Sequence, residues 1–401
     1  MIIDKKASEF IMQTIHDILP FMKNVLVRVD WNVPIQDGIV LDNSRILETL
    51  PTIMGLLSAG KHITILTHLG RPKEGYQAES SLKLLQPEIE KLLQHPVNFI
   101  EDLDQLGHQW EHPISLFENI RFFPGEETNE PQLAKSLIKK ADVFVNDAFS
   151  VSHRAHTSVE GVTHHLPHCA GLLMERELSK LIYFHEHYER PLMAICGGAK
   201  ISSKIDFIQN MLKKAKTIAL VGGLANTFLK AKGLNVGLSL VEDDAINLAK
   251  KIIDQAVVEG CELWIPNHVR VGKTLADTPF DKPVTEISSD ERILDIAPQS
   301  LDELLEAAND AKTIIWNGAL GVFENSTWSH GTFTLAKELG RLTQQKQFQT
   351  LAGGGETVMA LRQTNTFNQF TYVSLAGGAF MEFMEGRKLP GVLPLLSNST
   401  D

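Results

Sequence analysis

Short apolar segments alternate with amphipathic ones along nearly the whole chain, and this pattern constrains the fold more than any other feature. Segments of strand character lie in the first half at residues 24–34, 62–70, 97–100, 114–120 and 142–149. The second half repeats the pattern at residues 192–198, 217–223, 262–267, 313–318, 349–355 and 371–378. Strands that alternate with helices predict parallel sheets covered by helices on both faces. With 401 residues the chain exceeds one usual hydrophobic core, so we expect two domains.

The composition argues against several classes of protein. The residues are 43% hydrophobic and 22% charged, as in ordinary globular proteins, and the net charge of −11 argues against nucleic-acid binding through a basic surface. The three cysteines are far apart and form neither a disulfide framework nor a CxxC metal pattern, which favours a reducing cytoplasm. The first residues lack the features of a signal peptide. No run of about 18 apolar residues occurs, so we expect no membrane span.

Every Gly-Gly pair lies in the second half, at residues 197–198, 222–223, 353–355 and 377–378. Each pair follows an apolar strand segment and opens a helical pattern, where backbone N–H groups can approach a phosphate. Ligands of open parallel sheets bind at the carboxyl ends of the strands. A single pair often does no more than close a turn, but four in one half of the chain predict a nucleotide-binding domain.

Lys200 and Lys204 lie four residues apart just after the first of these pairs. At the start of a helix, two cations on one face are disfavoured by mutual repulsion and by the helix dipole. We therefore expect an anion to lie between the two ammonium groups.

Two better-known phosphate motifs do not fit the sequence. Residues 271–274 read VGKT, but the earlier glycine that a P-loop requires is Asn267. Residues 353–358 contain three glycines, but the last glycine of a dinucleotide fingerprint is Val358. Neither a standard P-loop enzyme nor a standard NAD dehydrogenase is indicated.

The first half lacks Gly-Gly pairs but carries four arginines at predicted strand ends or in adjoining loops: Arg45, Arg71, Arg121 and Arg154. One loop arginine is usually a solvated charge. Four at successive strand ends predict a pocket for a small polyanion, because guanidinium groups bind carboxylates and phosphates bidentately. Asp30 and Asn32 follow the first strand, where they either bind ligand hydroxyls or cap the turn into Pro34.

Five histidines fall within residues 153–168. No cysteine or carboxylate with ligand spacing accompanies them, so a structural zinc site is the less favoured interpretation. We expect His68 and His153 to help bind the polyanion instead.

No acid–base constellation is recognisable in the sequence. A carboxylate that attacks phosphorus already carries its charge, so an enzyme for that reaction needs only to position and neutralise its substrates. An anion-binding half combined with a nucleotide-binding half predicts phosphoryl transfer between a small acid and a nucleotide. Lys200 and Lys204 would stabilise the transferred group.

At these residues the sequence resembles the phosphoglycerate kinase family, over nearly the whole chain. The blocks that carry the resemblance occur in the family's order: VLVRVDWNVP, THLGRP, ENIRFFPGEE, FVNDAFSVSHRAH, GGAKISSKI, IWNGALGVFE, GGGET and EGRKLPGV. The resemblance implies reversible transfer of a phosphoryl group between ATP and the carboxylate of 3-phosphoglycerate in glycolysis and gluconeogenesis, with magnesium as cofactor. The products are 1,3-bisphosphoglycerate and ADP.

The resemblance also implies roles for individual residues. Phosphoglycerate is held by Asp30, Asn32, Arg45, His68, Arg71, Arg121 and Arg154. Lys200 and Lys204 contact the nucleotide phosphates and the transferred group, and Arg45 stabilises the transition state. The nucleotide site comprises Lys204, Gly222, Gly223, Asn317, Glu324, Gly353, Gly354, Gly355, Glu356 and Thr357. Within it, Glu324 reaches the ribose and Glu356 binds the metal.

The fold implied by the resemblance is α/β, with two Rossmann-like parallel-sheet domains joined by a long helix and hinge. Residues 1–171 are expected to bind phosphoglycerate, 172–190 to form the interdomain helix and 191–385 to bind the nucleotide. Residues 386–401 are expected to return to the N-terminal domain. A cytoplasmic monomer is implied, with small-molecule substrates and neither nucleic acid nor membrane as a partner.

The chain departs from the family's usual residues at several positions. Glu356 stands for an Asp, and Ala297 for a Gly. The pairs Leu375-Ala376, Ala319-Leu320 and Ser150-Val151 stand for Thr-Gly, Pro-Met and Gly-Thr. An added Cβ at Ala376 is expected to hinder the approach of a phosphate to the backbone. Since the arginines and both lysines are intact, we expect altered nucleotide affinity rather than loss of the reaction.

Two alternatives remain open at this stage. One is a degenerate paralogue that binds phosphoglycerate or a protein partner without turnover, and the other is a related enzyme that uses another acid or nucleotide. Ligand binding without product formation would indicate the first, and a substrate panel would identify the second.

Overall fold

The computed structural model describes residues 10–18, 22–73, 75–108 and 111–398. The chain forms two compact units. Unit 1 consists of Met1–Ile182 together with Arg387–Asp401, and unit 2 consists of Tyr183–Gly386.

Unit 1 is built on a six-stranded, wholly parallel sheet. The strands of unit 1, including those outside this sheet, are β1 (Phe10–Met12), β2 (Asn24–Val29), β3 (Ile35–Gln36), β4 (Ile39–Val40), β5 (His62–Leu66), β6 (Asn98–Ile100), β7 (Ile114–Phe117), β8 (Val143–Asp147) and β9 (His168–Ala170). Its helices are α1 (Ile15–Ile18), α2 (Ser44–Ser58), α3 (Gln86–Leu93), α4 (Pro131–Leu137) and α5 (Leu172–Glu186), which runs across the boundary of the two units. The strand order in the sheet is β6-β7-β5-β2-β8-β9, while β3 and β4 form a separate antiparallel pair.

Strand β2 shows why the strands of this sheet are mainly apolar rather than alternating. Val25 and Val27 pack in one core cluster with Ile53 of α2. Leu26 packs in a second cluster with Leu133 of α4, on the opposite face of the sheet. Because neighbouring residues of a strand point to opposite faces, both faces of this strand are buried. Arg28 alternates with the same periodicity and is buried on the face of Leu26.

Unit 2 is built on a second six-stranded parallel sheet, in the order β12-β11-β10-β16-β17-β18. The strands of unit 2, including those outside this sheet, are β10 (Leu192–Cys196), β11 (Thr217–Leu220), β12 (Glu262–Trp264), β13 (His268–Gly272), β14 (Phe280–Pro283), β15 (Arg292–Ile296), β16 (Thr313–Asn317), β17 (Gln349–Gly353) and β18 (Tyr372–Ser374). Its helices are α6 (Ile205–Leu212), α7 (Gly222–Ala231), α8 (Ile246–Glu259), α9 (Pro298–Asn309), α10 (His330–Gln344), α11 (Gly355–Gln363) and α12 (Gly378–Met384). Strands β13, β14 and β15 form an additional antiparallel sheet.

The last described residues belong to unit 1. Strand β19 (Leu396–Asn398) pairs with β1 in antiparallel register, with Phe10 opposite Asn398. Upstream of this strand, the Pro394 carbonyl lies 2.9 Å from Nε2 of His168. Both ends of the described chain are therefore tied to the same unit.

The predicted fold class is confirmed, since both units are α/β and built on parallel sheets. Every predicted strand segment contains an observed strand. Of the Gly-Gly pairs, the last three open helices, at Gly222, Gly355 and Gly378.

The helix expected to start at the lysine pair was predicted wrongly. Helix α6 begins only at Ile205, and Lys204 is the residue that precedes it. Residues 202–204 form a turn before the helix, so Lys200 lies outside it. Within the described ranges, no helix is both long enough and apolar enough to cross a membrane.

Candidate functional site

The polar residues predicted in unit 1 lie at the carboxyl ends of four neighbouring strands. Asp30 follows β2, His68 follows β5, Arg121 follows β7 and Arg154 follows β8. Because all strands of the sheet are parallel, these ends meet at one edge, which is where α/β sheets bind ligands. We call this edge the arginine surface; its predicted members are Asp30, Asn32, Arg45, His68, Arg71, Arg121 and Arg154.

A buried carboxylate lies at the centre of the arginine surface. Asp30 forms an ion pair with Arg45 and accepts a hydrogen bond from the hydroxyl of Ser150. Nδ1 of His68 is 3.6 Å from Oδ1 of Asp30. Arg45 stands in the first turn of α2, where the helix dipole disfavours a cation, and the Asp30 carboxylate offsets that cost.

The electrostatics of this centre keep its histidine neutral. Burial lowers the pKa of His68 well below the usual range, and the positive charges of Arg28, Arg121 and Arg45 act in the same direction, against the carboxylate of Asp30. Burial acts to raise the pKa of Asp30, but the surrounding positive groups hold it below its ordinary value. The centre therefore carries an ionised aspartate and an uncharged imidazole when no ligand is bound.

The loop after β5 is held by two other predicted residues. Oδ1 of Asn32 accepts a hydrogen bond from the Gly70 N–H at 2.8 Å, and Nη1 of Arg121 donates to the Gly70 carbonyl at 2.6 Å. Arg71, the next residue, is exposed and forms no ion pair with any residue that the structure describes. In the last loop of the surface, Nε of Arg154 lies 3.3 Å from Nε2 of His153.

Sequence reasoning missed the buried network that supports this surface from below. Nη2 of Arg28 lies 3.3 Å from Nδ1 of His68, and Nε donates to the hydroxyl of Ser158 at 2.8 Å. The Ser158 hydroxyl in turn donates to Glu126 at 2.6 Å. Arg28 is 1% exposed. The only signal for it in the sequence is a charged residue within an otherwise apolar strand.

Unit 2 has a cavity of about 260 Å³ at the carboxyl edge of its own sheet, called the glycine cavity below. Gly222, Gly223, Glu324 and Glu356, all predicted nucleotide-site residues, line it. Gly222 has a φ of +67°, and a Cβ there would lie 2.6 Å from the Ala319 carbonyl oxygen. Only glycine therefore fits this position, and the backbone itself forms the wall of the cavity.

One predicted lysine and one predicted carboxylate converge beside Gly198. A Cβ placed on Gly198 would lie 3.7 Å from Cε of Lys204 and 3.7 Å from Oε2 of Glu356. Glu356 stands in the first turn of α11 and accepts a hydrogen bond from the Ala319 N–H at 3.3 Å. An ammonium and a carboxylate thus flank a strip of glycine backbone, an arrangement that suits a phosphate group together with a metal ion.

Asn317 and Thr357 fix the backbone around this strip. Nδ2 of Asn317 donates to the Gly353 carbonyl at 2.6 Å, and the Gly318 N–H donates to the Thr357 hydroxyl at 2.7 Å. Oδ1 of Asn317 is buried and accepts no hydrogen bond from the described residues. Gly354 has a φ of +92°, and a Cβ there would collide with Asn317. Gly355 is open on the side where its Cβ would lie.

Unit 2 also contains Lys200 and two of the residues that depart from the family, Ala297 and Ala376. Lys200 is exposed, and its charge acts on Glu242, whose carboxylate accepts a hydrogen bond from the Ser202 N–H at 3.0 Å. Ala376 is 4% exposed, and Ala297 adopts an ordinary extended conformation before α9. The glycine cavity is also lined by Arg292 and Asp295, which sequence reasoning did not select.

No group of three or more histidine, cysteine, aspartate or glutamate side chains suited to a metal is present within the described ranges. Among the histidines of residues 153–168, His164 pairs with Glu160. Glu356 alone does not form a metal site, but magnesium in kinases is commonly held by one or two carboxylates together with substrate phosphates.

Known proteins match nearly the whole chain. The family model for phosphoglycerate kinase matches residues 15–387. The phosphoglycerate kinase of Rhodospirillum centenum (strain ATCC 51521 / SW) is 42% identical over 393 residues, which cover 96% of this chain and 99% of the relative. That of Jannaschia sp. (strain CCS1) is 44% identical over 379 residues, covering 93% and 95%.

Solved structures agree with these relatives. The phosphoglycerate kinase from Coxiella burnetii matches with a TM-score of 0.88 at 36% identity, covering 96% of this chain and 99% of that one. The enzyme from Pyrococcus horikoshii OT3 matches with a TM-score of 0.80 at 26% identity, covering 96% and 98%. The family model spans far more than half of the chain, and relatives above 40% identity cover nearly all of it. The chain therefore belongs to the phosphoglycerate kinase family, whose members are phosphotransferases with a carboxyl group as acceptor.

Proposed function

We propose that this kinase binds 3-phosphoglycerate at the arginine surface of unit 1 and the adenine nucleotide at the glycine cavity of unit 2. The observation that carries the proposal is the Asp30 centre, where an arginine and a neutral histidine share a buried carboxylate at a sheet edge. Around it, Arg71, Arg121 and Arg154 offer positive charge to an anionic ligand. Such a surface suits an acid that carries a carboxylate and a phosphate.

The residues around Asp30 have different tasks in this proposal. Arg45 is 41% exposed at its side chain and can turn from Asp30 to an incoming ligand. Asp30 and Asn32 bind the ligand's hydroxyl group and orient it. Arg71 and Arg154 bind the phosphate of the ligand. His68 takes up a proton when the negatively charged ligand binds.

In unit 2, backbone N–H groups and two lysines bind the nucleotide phosphates. Helices α7 and α11 begin at Gly222 and Gly355, so their N-terminal N–H groups are directed toward bound anions. Lys204 and Lys200 neutralise the transferred group, Glu324 binds the ribose, and Asn317 and Thr357 hold the loops. Glu356 fits magnesium, because this ion is usually bound through one or two carboxylates plus nucleotide phosphates.

The reaction requires no general base. A carboxylate oxygen of 3-phosphoglycerate attacks the γ-phosphorus of ATP, and the bond from that phosphorus to the β–γ bridging oxygen breaks as ADP leaves. The nucleophile is already ionised, so the protein contributes positioning and positive charge, supplied by Arg45, Lys200 and Lys204. Magnesium, when bound with the nucleotide, neutralises part of the phosphate charge. The reverse reaction uses the same groups.

The most direct test is a coupled assay of ATP consumption that depends on 3-phosphoglycerate and magnesium. Lys204→Ala and Lys200→Ala should each lower kcat by about a hundredfold or more, because each removes a charge from the transferred group. Lys250→Ala, an exposed change on α8, is the matched control and should leave kcat unchanged. Folded wild-type protein that binds 3-phosphoglycerate without turnover would overturn the proposal and indicate a binding paralogue instead.

We also propose that the enzyme is a cytoplasmic monomer. Cys169, Cys196 and Cys261 are buried free thiols, and burial raises the pKa of each, to about 12, 12 and 11 respectively. Free cysteines without disulfides are the usual state in a reducing compartment. Light scattering after gel filtration should give a mass near 44.6 kDa, and about twice that value would contradict the monomer.

A further inference from the structure

Unit 1 contains a cavity of about 400 Å³, which we call the lysine cavity. It lies at the amino ends of the strands, where Asn24 begins β2, His62 begins β5 and Ile114 begins β7. From His62 to His68 the chain advances six residues, which is about 20 Å of extended strand. The lysine cavity is therefore at the opposite edge of the sheet from the arginine surface, and the proposed function assigns it no role.

The lining of the lysine cavity is strongly biased in charge. Three lysines, Lys23, Lys139 and Lys140, and three histidines, His62, His108 and His112, line it. Among the described residues that line it, no carboxylate is present. This concentration of basic side chains occurs in a chain with a net charge of −11, so it does not reflect the overall composition. A local basic cluster of this kind favours an anionic ligand.

The lysines of this cavity have little competing negative charge. Lys23 and Lys140 form no ion pair with any described residue. Lys139 lies 3.7 Å from the fully exposed Asp104 and donates a hydrogen bond to the Leu103 carbonyl at 3.4 Å. Exposed pairs of this kind are weak. Asp142, a carboxylate outside the lining, already accepts hydrogen bonds from the Lys23 and Asn24 N–H groups at 2.9 Å and 2.8 Å. The ammonium groups are thus available to a ligand.

The interior of the cavity differs from its rim. Leu26, Leu106 and Leu137 supply apolar walls, while Thr64 and Ser115, adjacent in the parallel register of β5 and β7, supply hydroxyl groups. The side chain of Lys140 packs directly against Gly107 at the edge of the cavity, since a Cβ on Gly107 would lie 2.9 Å from Cδ of Lys140. A volume of about 400 Å³ is large enough for a small organic molecule rather than a single inorganic ion.

We propose that the lysine cavity binds a small multivalent organic anion, with its charged groups at Lys23, Lys139 and Lys140 and its hydroxyl or ester oxygens near Thr64 and Ser115. Cationic rims with hydroxyl groups inside suit phosphates and polycarboxylates equally, because both accept charge-assisted hydrogen bonds. The phosphate and the carboxylate form of the ligand are separated by using two probes.

The test is equilibrium dialysis with labelled fructose 1,6-bisphosphate and, separately, labelled citrate, while 3-phosphoglycerate and MgADP saturate the sites of the proposed function. Wild-type protein should bind about one equivalent of at least one probe. The double variant Lys23→Gln/Lys140→Gln should bind that probe at least about tenfold more weakly. The double variant Lys135→Gln/Lys250→Gln makes the same charge change on exposed helical positions and should bind like wild type.

Two further measurements locate the probe. Thr64→Val keeps every charge and removes one hydroxyl, and it should weaken binding severalfold. In amine acetylation followed by mass spectrometry, the probe should protect Lys23 and Lys140 but not Lys250. Kinase activity of Lys23→Gln/Lys140→Gln should equal that of wild type and shows that the variant is folded. Absence of binding by wild type, or equal binding by the two double variants, would overturn the proposal, as would equal acetylation with and without probe.

Discussion

Arg45, in the first turn of helix α2, forms an ion pair with Asp30, a buried carboxylate at the end of strand β2. This pair places a cation at the positive end of a helix, where it requires a negative partner. In the free protein that partner is Asp30, and in the proposed reaction it becomes the substrate. Arg45 thus exchanges its ion pair with Asp30 for one with the bound substrate.

Replacement of Arg45 should therefore affect turnover strongly. We expect Arg45→Ala to lower kcat by about 10²–10³-fold, because positive charge at the transferred group is lost. Arg176→Ala is the matched control. Arg176 pairs with Glu48 of α2, the helix that carries Arg45, but lies outside the arginine surface. Steady-state kinetics with 3-phosphoglycerate and ATP provide the measurement. A loss smaller than threefold in Arg45→Ala would contradict the assigned role.

Substrate binding should change the protonation of His68. Its pKa lies well below the usual value of 6.5 in the free protein, mainly because of burial. A bound anion adds negative charge nearby, which raises the pKa and favours proton uptake. Calorimetry of 3-phosphoglycerate binding at pH 6, in buffers with different ionisation enthalpies, should report uptake of a fraction of a proton. His68→Gln should show less uptake, and equal uptake in the two proteins would contradict the prediction.

The buried network around Arg28 should be important for stability. Arg28→Met leaves Glu126 buried without its cation, and we expect a loss of about 3–5 kcal/mol in the free energy of unfolding. Burial already raises the pKa of Glu126, and Arg28 opposes that shift. Adding Glu126→Gln should recover part of the loss, since the uncompensated charge is removed. Urea denaturation of the two single variants and the double variant measures this coupling, and strictly additive losses would show that the residues act independently.

Asp295 should make the stability of the protein fall as the pH rises. Burial raises its pKa from 3.8 to about 7 in the folded protein. Between these values the folded state holds a proton that the unfolded state releases, so stability decreases from about pH 4 upward and this contribution is fully lost above pH 7. The expected loss is up to about 4 kcal/mol.

Asp295→Asn should remove this dependence. An amide oxygen can still accept the hydrogen bond that the Gly331 N–H donates to Asp295 at 2.8 Å. Urea denaturation at pH 5 and pH 8 should give a smaller difference between the two pH values for Asp295→Asn than for wild type. The same difference in both proteins would show that Asp295 is not the group responsible.

Much of the fold could be predicted because the central strands can be recognised in the sequence as short apolar segments. Segment 192–196 is apolar throughout and segment 24–29 is mainly apolar, as is typical of strands buried on both faces. The predictions of the fold class, the family and the kinase activity are confirmed. Strands β13–β15 were missed because polar and partly exposed residues interrupt their apolar ones, so they lack the pattern of the central strands.

Individual contacts of the candidate site were less predictable. The sequence indicates that Asp30, His68 and Arg45 belong to one edge, but not that Asp30 engages Arg45 and Ser150 directly. Ser150, noted only as a departure from the family's usual glycine, contributes a hydroxyl to that centre. The lysine pair was placed on a helix because spacing alone cannot show where the first helical turn closes. Side-chain contacts between distant strands depend on register, which no local pattern records.

The division of labour between the two units is the central claim, and binding of each substrate measured separately tests it most directly. Arg71→Ala removes an exposed charge from the arginine surface, and Glu356→Gln removes the carboxylate beside Lys204. In isothermal titration calorimetry we predict that Arg71→Ala loses about tenfold or more in affinity for 3-phosphoglycerate while binding MgADP normally. Glu356→Gln should lose affinity for MgADP and bind 3-phosphoglycerate normally. If either variant loses the other substrate instead, the assignment of acid to unit 1 and nucleotide to unit 2 is contradicted.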